Sequence, residues 1–317
     1  MKHARAVLLP LGLLAAPLQV PAQDSHIILP IPDLEARLRD GPLQVVDWRG
    51  SRAEGDRTQR VVLMYEDSTI LAVKWARAAP GAAAFNNEPR YEVAAYELQK
   101  LFLGPDEYVV PPTILRAVPR DWLREYDETA LATFDGTSSV LVVLQYWLFN
   151  VTNEKFWDED RFRQDSVYAR HLANMNVLTY LIRHADENVG NFLIGLDSAR
   201  PRLFSVDNGV AFRSDPSNRG TAWRNLQVDR LPHATVARLR AITRDDLDRA
   251  LGVLATFGIT GGMLIPMGPS PNLDERRGVR RNDEYVQLGL TRSEIDDVHE
   301  RLRELLERID SGRIRTF

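Results

Sequence analysis

His184-Ala185-Asp186-Glu187-Asn188-Val189-Gly190-Asn191 is the stretch that decides the fold, because it carries the pattern H-x-D-x-x-x-x-N. It follows a long segment, 158–183, whose apolar residues recur at helical spacing. A short apolar run then leads through a turn into Phe204-Ser205-Val206-Asp207-Asn208-Gly209, a D-x-G sequence at the end of a second predicted strand. Two motifs rich in carboxylates and amides therefore stand at the ends of neighbouring elements.

In this order the two motifs resemble the catalytic loop and the metal-binding D-F-G of protein kinases. The resemblance implies that Asn191 and Asp207 bind Mg²⁺ or Mn²⁺, since an amide and a carboxylate oxygen suit these ions. Asp186, five residues before Asn191, would orient an acceptor hydroxyl and accept its proton. We expect His184 to brace the loop by hydrogen bonding.

The first half of the chain is predicted as strands with one helix, and the second half as mainly helical. The predicted strands of the first half are 43–48, 61–65, 69–75 and 140–144. Capping boxes at Thr243 and Thr291 mark helix starts in the second half. The expected fold is α+β, a two-lobed protein-kinase-like fold with a β-rich N-lobe and a helical C-lobe. Its predicted parts are a signal peptide at 1–22, an N-lobe at 23–147 and a C-lobe at 148–317.

Lys74 ends the second strand of a predicted hairpin, in Ala72-Val73-Lys74. This is the position of the kinase strand lysine that contacts the α- and β-phosphates. Its carboxylate partner should lie on the helix that begins near Pro89. We expect Glu92 to be that partner, with Glu88 and Glu97 as alternatives.

The nucleotide is expected to bind between the lobes. A hinge that would hold adenine is predicted after the strand at 140–144, at Gln145, Tyr146 and Trp147. The glycine-rich loop is reduced to Gly50 and Gly55, without the G-x-G-x-x-G spacing. Positive charge that compensates for it could come from Arg52, Arg57 or Arg60, although a charged surface loop explains these arginines equally well.

Several details depart from the ordinary Ser/Thr and Tyr kinases. Asn188 replaces the catalytic-loop lysine of the former, Gly190 replaces an arginine of the latter, and no A-P-E follows Asp207. The chain is therefore similar to the atypical secretory-pathway (Golgi casein-kinase-type) kinases and type II phosphatidylinositol 4-kinases, with a more distant likeness to the HipA toxin kinase. The resemblance implies ATP and Mg²⁺ or Mn²⁺ as cofactors.

Composition excludes several other classes. The net charge of −4 gives no electrostatic reason to expect nucleic acid as a partner. The absence of cysteine removes disulfides, thiolate metal sites and cysteine nucleophiles. The sequence contains neither G-x-S-x-G nor H-E-x-x-H.

The first 22 residues have the pattern of a cleavable signal peptide. Lys2 and Arg5 precede an apolar run at 6–18, and Val20-Pro21-Ala22 supplies a plausible cleavage site. The run is shorter than the roughly 20 apolar residues that span a bilayer. We therefore expect an exported, periplasmic or secreted protein without stable membrane insertion.

The predicted function is metal-dependent transfer of the γ-phosphate of ATP to a hydroxyl of a protein or small molecule. One alternative is a nucleotide-binding pseudokinase that acts as a scaffold, although such a protein has no physical need to keep Asp186, Asn191 and Asp207. A second is a kinase-fold enzyme with adenylating chemistry. A third is an exported interaction protein in which the motif is accidental.

Overall fold

The structure is a computed structural model of the chain. It describes residues 26–50, 58–84, 87–186, 188–213 and 222–317. The predicted signal peptide, Gly55, Arg52 and Arg57 lie outside the described residues.

The described residues form helices and strands along the whole chain. The helices are α1 (Ile31–Asp40), α2 (Pro89–Gln99), α3 (Arg120–Leu123), α4 (Glu159–Gln164), α5 (Ser166–Leu181), α6 (His233–Ala241), α7 (Arg244–Leu251) and α8 (Arg292–Asp310). The strands are β1 (Gln44–Arg49), β2 (Thr58–Met64), β3 (Ile70–Arg77), β4 (Thr113–Pro119), β5 (Ser139–Tyr146), β6 (Val151–Thr152), β7 (Phe192–Gly195), β8 (Leu203–Ser205), β9 (Arg230–Leu231), β10 (Ala255–Thr260), β11 (Met263–Pro266), β12 (Val279–Arg281), β13 (Tyr285–Leu288) and β14 (Arg315–Thr316).

The first lobe is built on a five-stranded antiparallel sheet in the order β1-β2-β3-β5-β4. The predicted hairpin is present: β2 and β3 pair across a turn in which Ser68 has a φ of 64°. Strand β5 is buried along its whole length, as its unbroken apolar run predicts. Helix α2 begins at Pro89, as predicted, and packs against β4 and β5.

The second lobe is centred on α5, which is buried on nearly all sides. The segment 158–183, predicted as one helix, is two helices. Asp165 interrupts it, because its side chain accepts hydrogen bonds from the backbone N–H groups of Val167 and Tyr168 and so caps a new helix. The short sheet β6-β7-β8 lies beside α5, and the H-x-D-x-x-x-x-N motif leads directly into β7.

A four-stranded sheet in the second half, β11-β10-β13-β12, was not predicted. It returns to the first lobe, where Phe257, Leu264 and Val286 share an apolar core with Leu141 and Val143 of β5. Its strands are short and half-exposed, so their hydrophobic pattern in the sequence is weak.

Both predicted capping boxes are present. Thr243 caps α7 and Thr291 caps α8, and the backbone N–H of each threonine donates in return to the carboxylate three residues later. Helix α8 then buries Ile295, Val298 and Leu302 against the second lobe. Across the described ranges, no helix is both long and apolar enough to cross a membrane.

Candidate active site

A cleft of about 950 Å³ lies between the two lobes. The first lobe contributes the cleft-facing ends of β1 to β3 and the end of β5 with the segment that follows it. The second lobe contributes residues 148 and 150–153, the loop that carries the H-x-D-x-x-x-x-N motif and the start of the D-x-G segment. The predicted site residues that line this cleft are Gly50, Lys74, Gln145, Tyr146, Trp147, Asn191 and Asp207.

Lys74 is the meeting point of the two lobes. Its Nζ lies 2.7 Å from Oε1 of Glu92 on α2 and 3.0 Å from Oδ1 of Asp207. Lys74 and Glu92 are buried, whereas the side chain of Asp207 is 54% exposed toward the cleft. Of the three glutamates considered as partners of Lys74, Glu92 therefore forms the contact, and Glu88 pairs with Arg90 instead.

The three charges of this cluster sum to one excess negative charge. Burial disfavours the charge on Lys74, but Asp207 and Glu92 outweigh it and raise the pKa of the ammonium group. Burial also raises the pKa of Glu92, and the nearby Asp207 adds to that rise. The attraction of Lys74 lowers the pKa of Asp207. Asp207 is therefore the carboxylate of the two that ionises more readily, and it faces the cleft.

The catalytic loop holds Asp186 at two points. Its Oδ2 accepts a hydrogen bond from Nδ2 of Asn191 at 2.8 Å, and its Oδ1 accepts one from the backbone N–H of Asn188 at 3.0 Å. Asp186 does not itself line the 950 Å³ cleft, but its partner Asn191 does. The hydrogen bond to Asp186 uses the amide nitrogen of Asn191 and leaves its oxygen as the group available to a metal ion.

His184 lies beneath this loop and is fully buried. Its Nδ1 accepts a hydrogen bond from the backbone N–H of Asp186 at 3.4 Å, which is the kind of bracing contact that we expected. Burial lowers the pKa of His184 to about 4. The imidazole is therefore neutral at neutral pH and acts on the loop, away from the cleft.

The D-x-G segment has an unusual backbone that places its two side chains apart. Asp207 has a φ of 59°, a left-handed conformation in which its carboxylate faces the cleft while Asn208 is fully buried. Asn208 receives a hydrogen bond from the hydroxyl of Ser205 at 2.9 Å, and its own backbone N–H donates to Oε2 of Glu92 at 3.0 Å. Glu92 thus contacts both the lysine and the segment that carries Asp207.

The donor set fits a divalent metal ion that also binds phosphate. Asn191 and Asp207 offer hard oxygen ligands, and an added cation would offset the excess negative charge beside Lys74. No cluster of three or more His, Asp or Glu side chains suited to a metal occurs in the part of the chain that the structure describes. A bound Mg²⁺ would therefore take its remaining ligands from phosphate and water, as is usual for this ion.

The region predicted as a hinge differs in detail from the prediction. Gln145 and Tyr146 still belong to β5, and only Trp147 follows the strand. The side chain of Gln145 is buried and donates to the hydroxyl of Thr113 at 2.9 Å. All three residues line the cleft. The backbone pairing of β5 with β3 nevertheless continues to Tyr146, beyond the predicted end of the strand at residue 144.

A row of polar side chains crosses the roof of the cleft. In the register of the sheet, Arg49 of β1 lies opposite Arg60 of β2, and Arg60 lies opposite Lys74 of β3. Lys74 in turn lies opposite Gln145 of β5. Directly opposed residues of antiparallel strands project from the same face of the sheet. Arg60 was one of three arginines predicted as possible sources of positive charge, and Arg49 was not predicted, because only the strand register brings them beside Lys74.

Among the described residues, Arg60 has fewer polar contacts than Lys74. Lys74 already contacts two carboxylates, and Arg49 pairs with Asp47 at 2.9 Å. The guanidinium of Arg60 instead lies 5.0 Å from the ring centroid of Trp147. Its buried Nε has no hydrogen-bond partner among the residues described.

Comparison with known proteins finds likeness in structure. No family model and no curated protein sequence matches the chain. Among solved structures, the chain is similar to that of hydra Fam20 with sugar, with a TM-score of 0.52 and 12% sequence identity over 86% of each chain. At this identity the likeness concerns the fold alone. The predicted α+β fold is confirmed: the chain has a two-lobed, kinase-like fold with a β-rich first lobe and a helical second lobe.

Proposed function

We propose that the chain is an ATP-dependent phosphotransferase that moves the γ-phosphate to a hydroxyl of a protein or small molecule. The observation that carries the proposal is the contact of Lys74 with both Glu92 and Asp207, beside the Asp186–Asn191 pair, at one interlobe cleft. A protein that shared only the fold, without the activity, would have no need to bring these five polar side chains together.

Each residue has a role that follows from its position. Lys74, held by Glu92, presents its ammonium group to the donor phosphates, and Arg60 adds positive charge from the neighbouring strand. Asn191 and Asp207 would hold Mg²⁺ or Mn²⁺, which supplies charge stabilisation for the transferred group. This assignment gives the phosphates a cationic roof although the glycine-rich loop is reduced.

Asp186 is the proposed base. Both of its oxygens already accept hydrogen bonds within the loop, which fixes the carboxylate beside the metal ligand Asn191. In the reaction, the acceptor oxygen forms a bond to the γ-phosphorus, the bond from that phosphorus to the β-phosphate oxygen breaks, and Asp186 receives the hydroxyl proton. ADP leaves with the electron pair of the broken bond.

The acceptor class can be determined by comparing acceptors of different chemistry directly. Protein hydroxyls and small-molecule hydroxyls are both consistent with a cleft of this size. Hydra Fam20 was solved with a sugar, so sugar hydroxyls belong in the acceptor panel. We also propose that the protein acts outside the cytoplasm, on the basis of the signal-peptide pattern at 1–22.

The test uses protein that begins at Gln23 and ATP labelled on the γ-phosphate, with Mg²⁺ or Mn²⁺, against unphosphorylated proteins, free sugars and glycans. Asp186→Ala and Asp207→Ala should abolish metal-dependent transfer or hydrolysis. Asp197→Ala is the matched control, because it removes an exposed carboxylate from the β7–β8 turn of the same lobe. Equal turnover in all four proteins would refute the site.

Product mass distinguishes the two alternatives. Addition of an adenylate in place of phosphate would show that the fold carries adenylating chemistry. Metal-dependent ATP binding without any product would favour a nucleotide-binding scaffold. The absence of both binding and product would leave the fold without this function.

A further inference from the structure

A buried ion pair joins the first turns of helices α2 and α8. Nη1 of Arg90 donates to Oε2 of Glu294 at 2.6 Å, and Nη2 donates to Oε1 at 3.0 Å. Arg90 is 8% exposed and Glu294 is 3% exposed. Bidentate pairing of this kind fixes both distance and direction between the two helices.

Neighbouring groups leave the pair little freedom to move. The hydroxyl of Tyr91 donates to Oε1 of Glu294, and the backbone N–H of Thr291 donates to Oε2 as part of the capping box of α8. A Cβ added at Gly278 would lie 2.5 Å from Cζ and Nε of Arg90, so the backbone just before β12 also packs closely against Arg90. We name Arg90, Tyr91 and Glu294 the α2–α8 clamp.

The α2–α8 clamp stands directly beside the site. Glu92 follows Tyr91 in the chain and contacts both Lys74 and the backbone of Asn208. The segment after the D-x-G motif is tied to the same two helices. The ring of Phe212 lies 5.1 Å from that of Tyr91, and Arg213 forms a two-pronged ion pair with Asp297 of α8.

We propose that Arg90 and Glu294 are positioning residues, through which α8 holds α2 in the orientation that lets Glu92 bind Lys74. The proposal rests on the proposed phosphotransferase function, because its value to the protein lies in that lysine. It gives α8 and the segment that leads into β12 a role in the reaction, since Glu294 binds Arg90 and Gly278 packs closely against it. Helix α8 of the same chain then supplies the contact that keeps Glu92 bound to Lys74.

The consequence is an effect on rate from residues that do not touch a substrate. A shift of α2 by about 1 Å would misplace Lys74 relative to the donor phosphates, and errors of this size cost up to roughly 100-fold in rate. Nucleotide affinity should suffer less, because Arg60 and the rest of the cleft do not depend on α2. The expected signature is therefore a fall in kcat with a much smaller change in KM for ATP.

The experiment compares Glu294→Gln and Gly278→Ala with two controls in the full mature chain. Asp296→Asn removes an α8 carboxylate that pairs with Arg244 of α7 and not with α2. Leu305→Ala destabilises α8 by truncating a buried core residue far along the same helix. Each protein is assayed well below its own Tm for kcat and KM, and hydrogen exchange is followed for the amides of α2.

Support for the α2–α8 clamp requires two results together. Both clamp variants should lose at least about tenfold in kcat and exchange the α2 amides faster, while both controls keep kcat within about threefold of the wild type. The proposal is overturned if Leu305→Ala loses as much kcat as Glu294→Gln, or if exchange in α2 is unchanged.

The experiment distinguishes a failure of the proposed phosphotransferase function from a failure of the positioning role of Arg90 and Glu294. If the wild type transfers no phosphate, the proposed function falls, and hydrogen exchange in α2 still decides whether α8 positions that helix. If the wild type is active and the clamp variants behave like the controls, the function stands and the positioning role falls.

Discussion

Nζ of Lys74 lies 2.7 Å from Oε1 of Glu92, and the two side chains are only 10% and 7% exposed. A buried ion pair contributes little net stability, but its disruption is costly because one charge is left without a partner. The pair therefore makes predictions for stability as well as for catalysis.

Lys74→Met should destabilise the protein strongly, because it leaves the buried Glu92 without its counter-charge. We expect the free energy of unfolding, measured by chemical denaturation near pH 7, to fall by about 3 kcal/mol. Lys100→Met is the matched control, since Lys100 also contacts two carboxylates, Glu35 and Glu97, but is one-quarter exposed. It should cost less than about 1 kcal/mol. Equal losses would contradict the buried-pair interpretation.

Asp207→Asn should affect the free protein much less than the ligand-bound protein. Without metal, the substitution removes both the ion pair with Lys74 and the repulsion of Glu92. Because these two effects oppose each other, the free energy of unfolding should change by less than about 1 kcal/mol. In the wild type, ATP with Mg²⁺ at about 100 times its Kd should add about 3 kcal/mol, and chelation with EDTA should remove this gain. The variant should gain little from Mg²⁺ and ATP. A full gain in Asp207→Asn would exclude this residue as a metal ligand.

Arg60→Ala should weaken the binding of phosphates and spare the binding of adenosine. Loss of a charge-assisted hydrogen bond corresponds to roughly a tenfold rise in KM for ATP or more, with a smaller change in kcat. Gln59→Ala is the control, because Gln59 is a neutral neighbour that also lines the cleft. Calorimetry with adenosine, ADP and ATP measures the difference directly. An equal loss of affinity for all three ligands would assign Arg60 to the adenine end of the cleft.

The pH dependence of stability should contain a contribution from His184. Its pKa is about 4 in the folded protein and near its ordinary value of 6.5 in the unfolded chain. Between these values the unfolded state binds more protons, so stability falls as the pH drops from about 6.5 toward 4. The loss should reach about 3 kcal/mol near pH 4, and none of it is present at pH 7.

His184→Asn tests this contribution, since asparagine can accept the hydrogen bond from Asp186 but does not titrate in this range. The difference in unfolding free energy between wild type and variant should narrow as the pH falls through that window. A difference that is constant from pH 7 to pH 4 would show that His184 titrates normally in the folded protein.

The local motifs were readable because they depend on short stretches of chain. The hairpin around 66–68, the start of α2 at Pro89 and the capping boxes at Thr243 and Thr291 each follow from side chains a few residues apart. The choice of Glu92 as the partner of Lys74 also required only a carboxylate near the start of the helix that follows the lysine-bearing strand. The prediction of one helix at 158–183 was wrong because it overlooked the side chain of Asp165. This side chain accepts hydrogen bonds from backbone N–H groups and starts a new helix.

By itself, the sequence determined the two-lobed α+β organisation and the polar residues that could form a phosphoryl-transfer site, because periodicity and motif order are local properties. Only the tertiary structure decided that Arg60 stands opposite Lys74, that a four-stranded sheet returns to the first lobe, and that Glu294 binds Arg90. These relationships join distant segments through strand register and side-chain packing. The free energy of such contacts belongs to the assembled fold, so no single stretch of the chain reveals them.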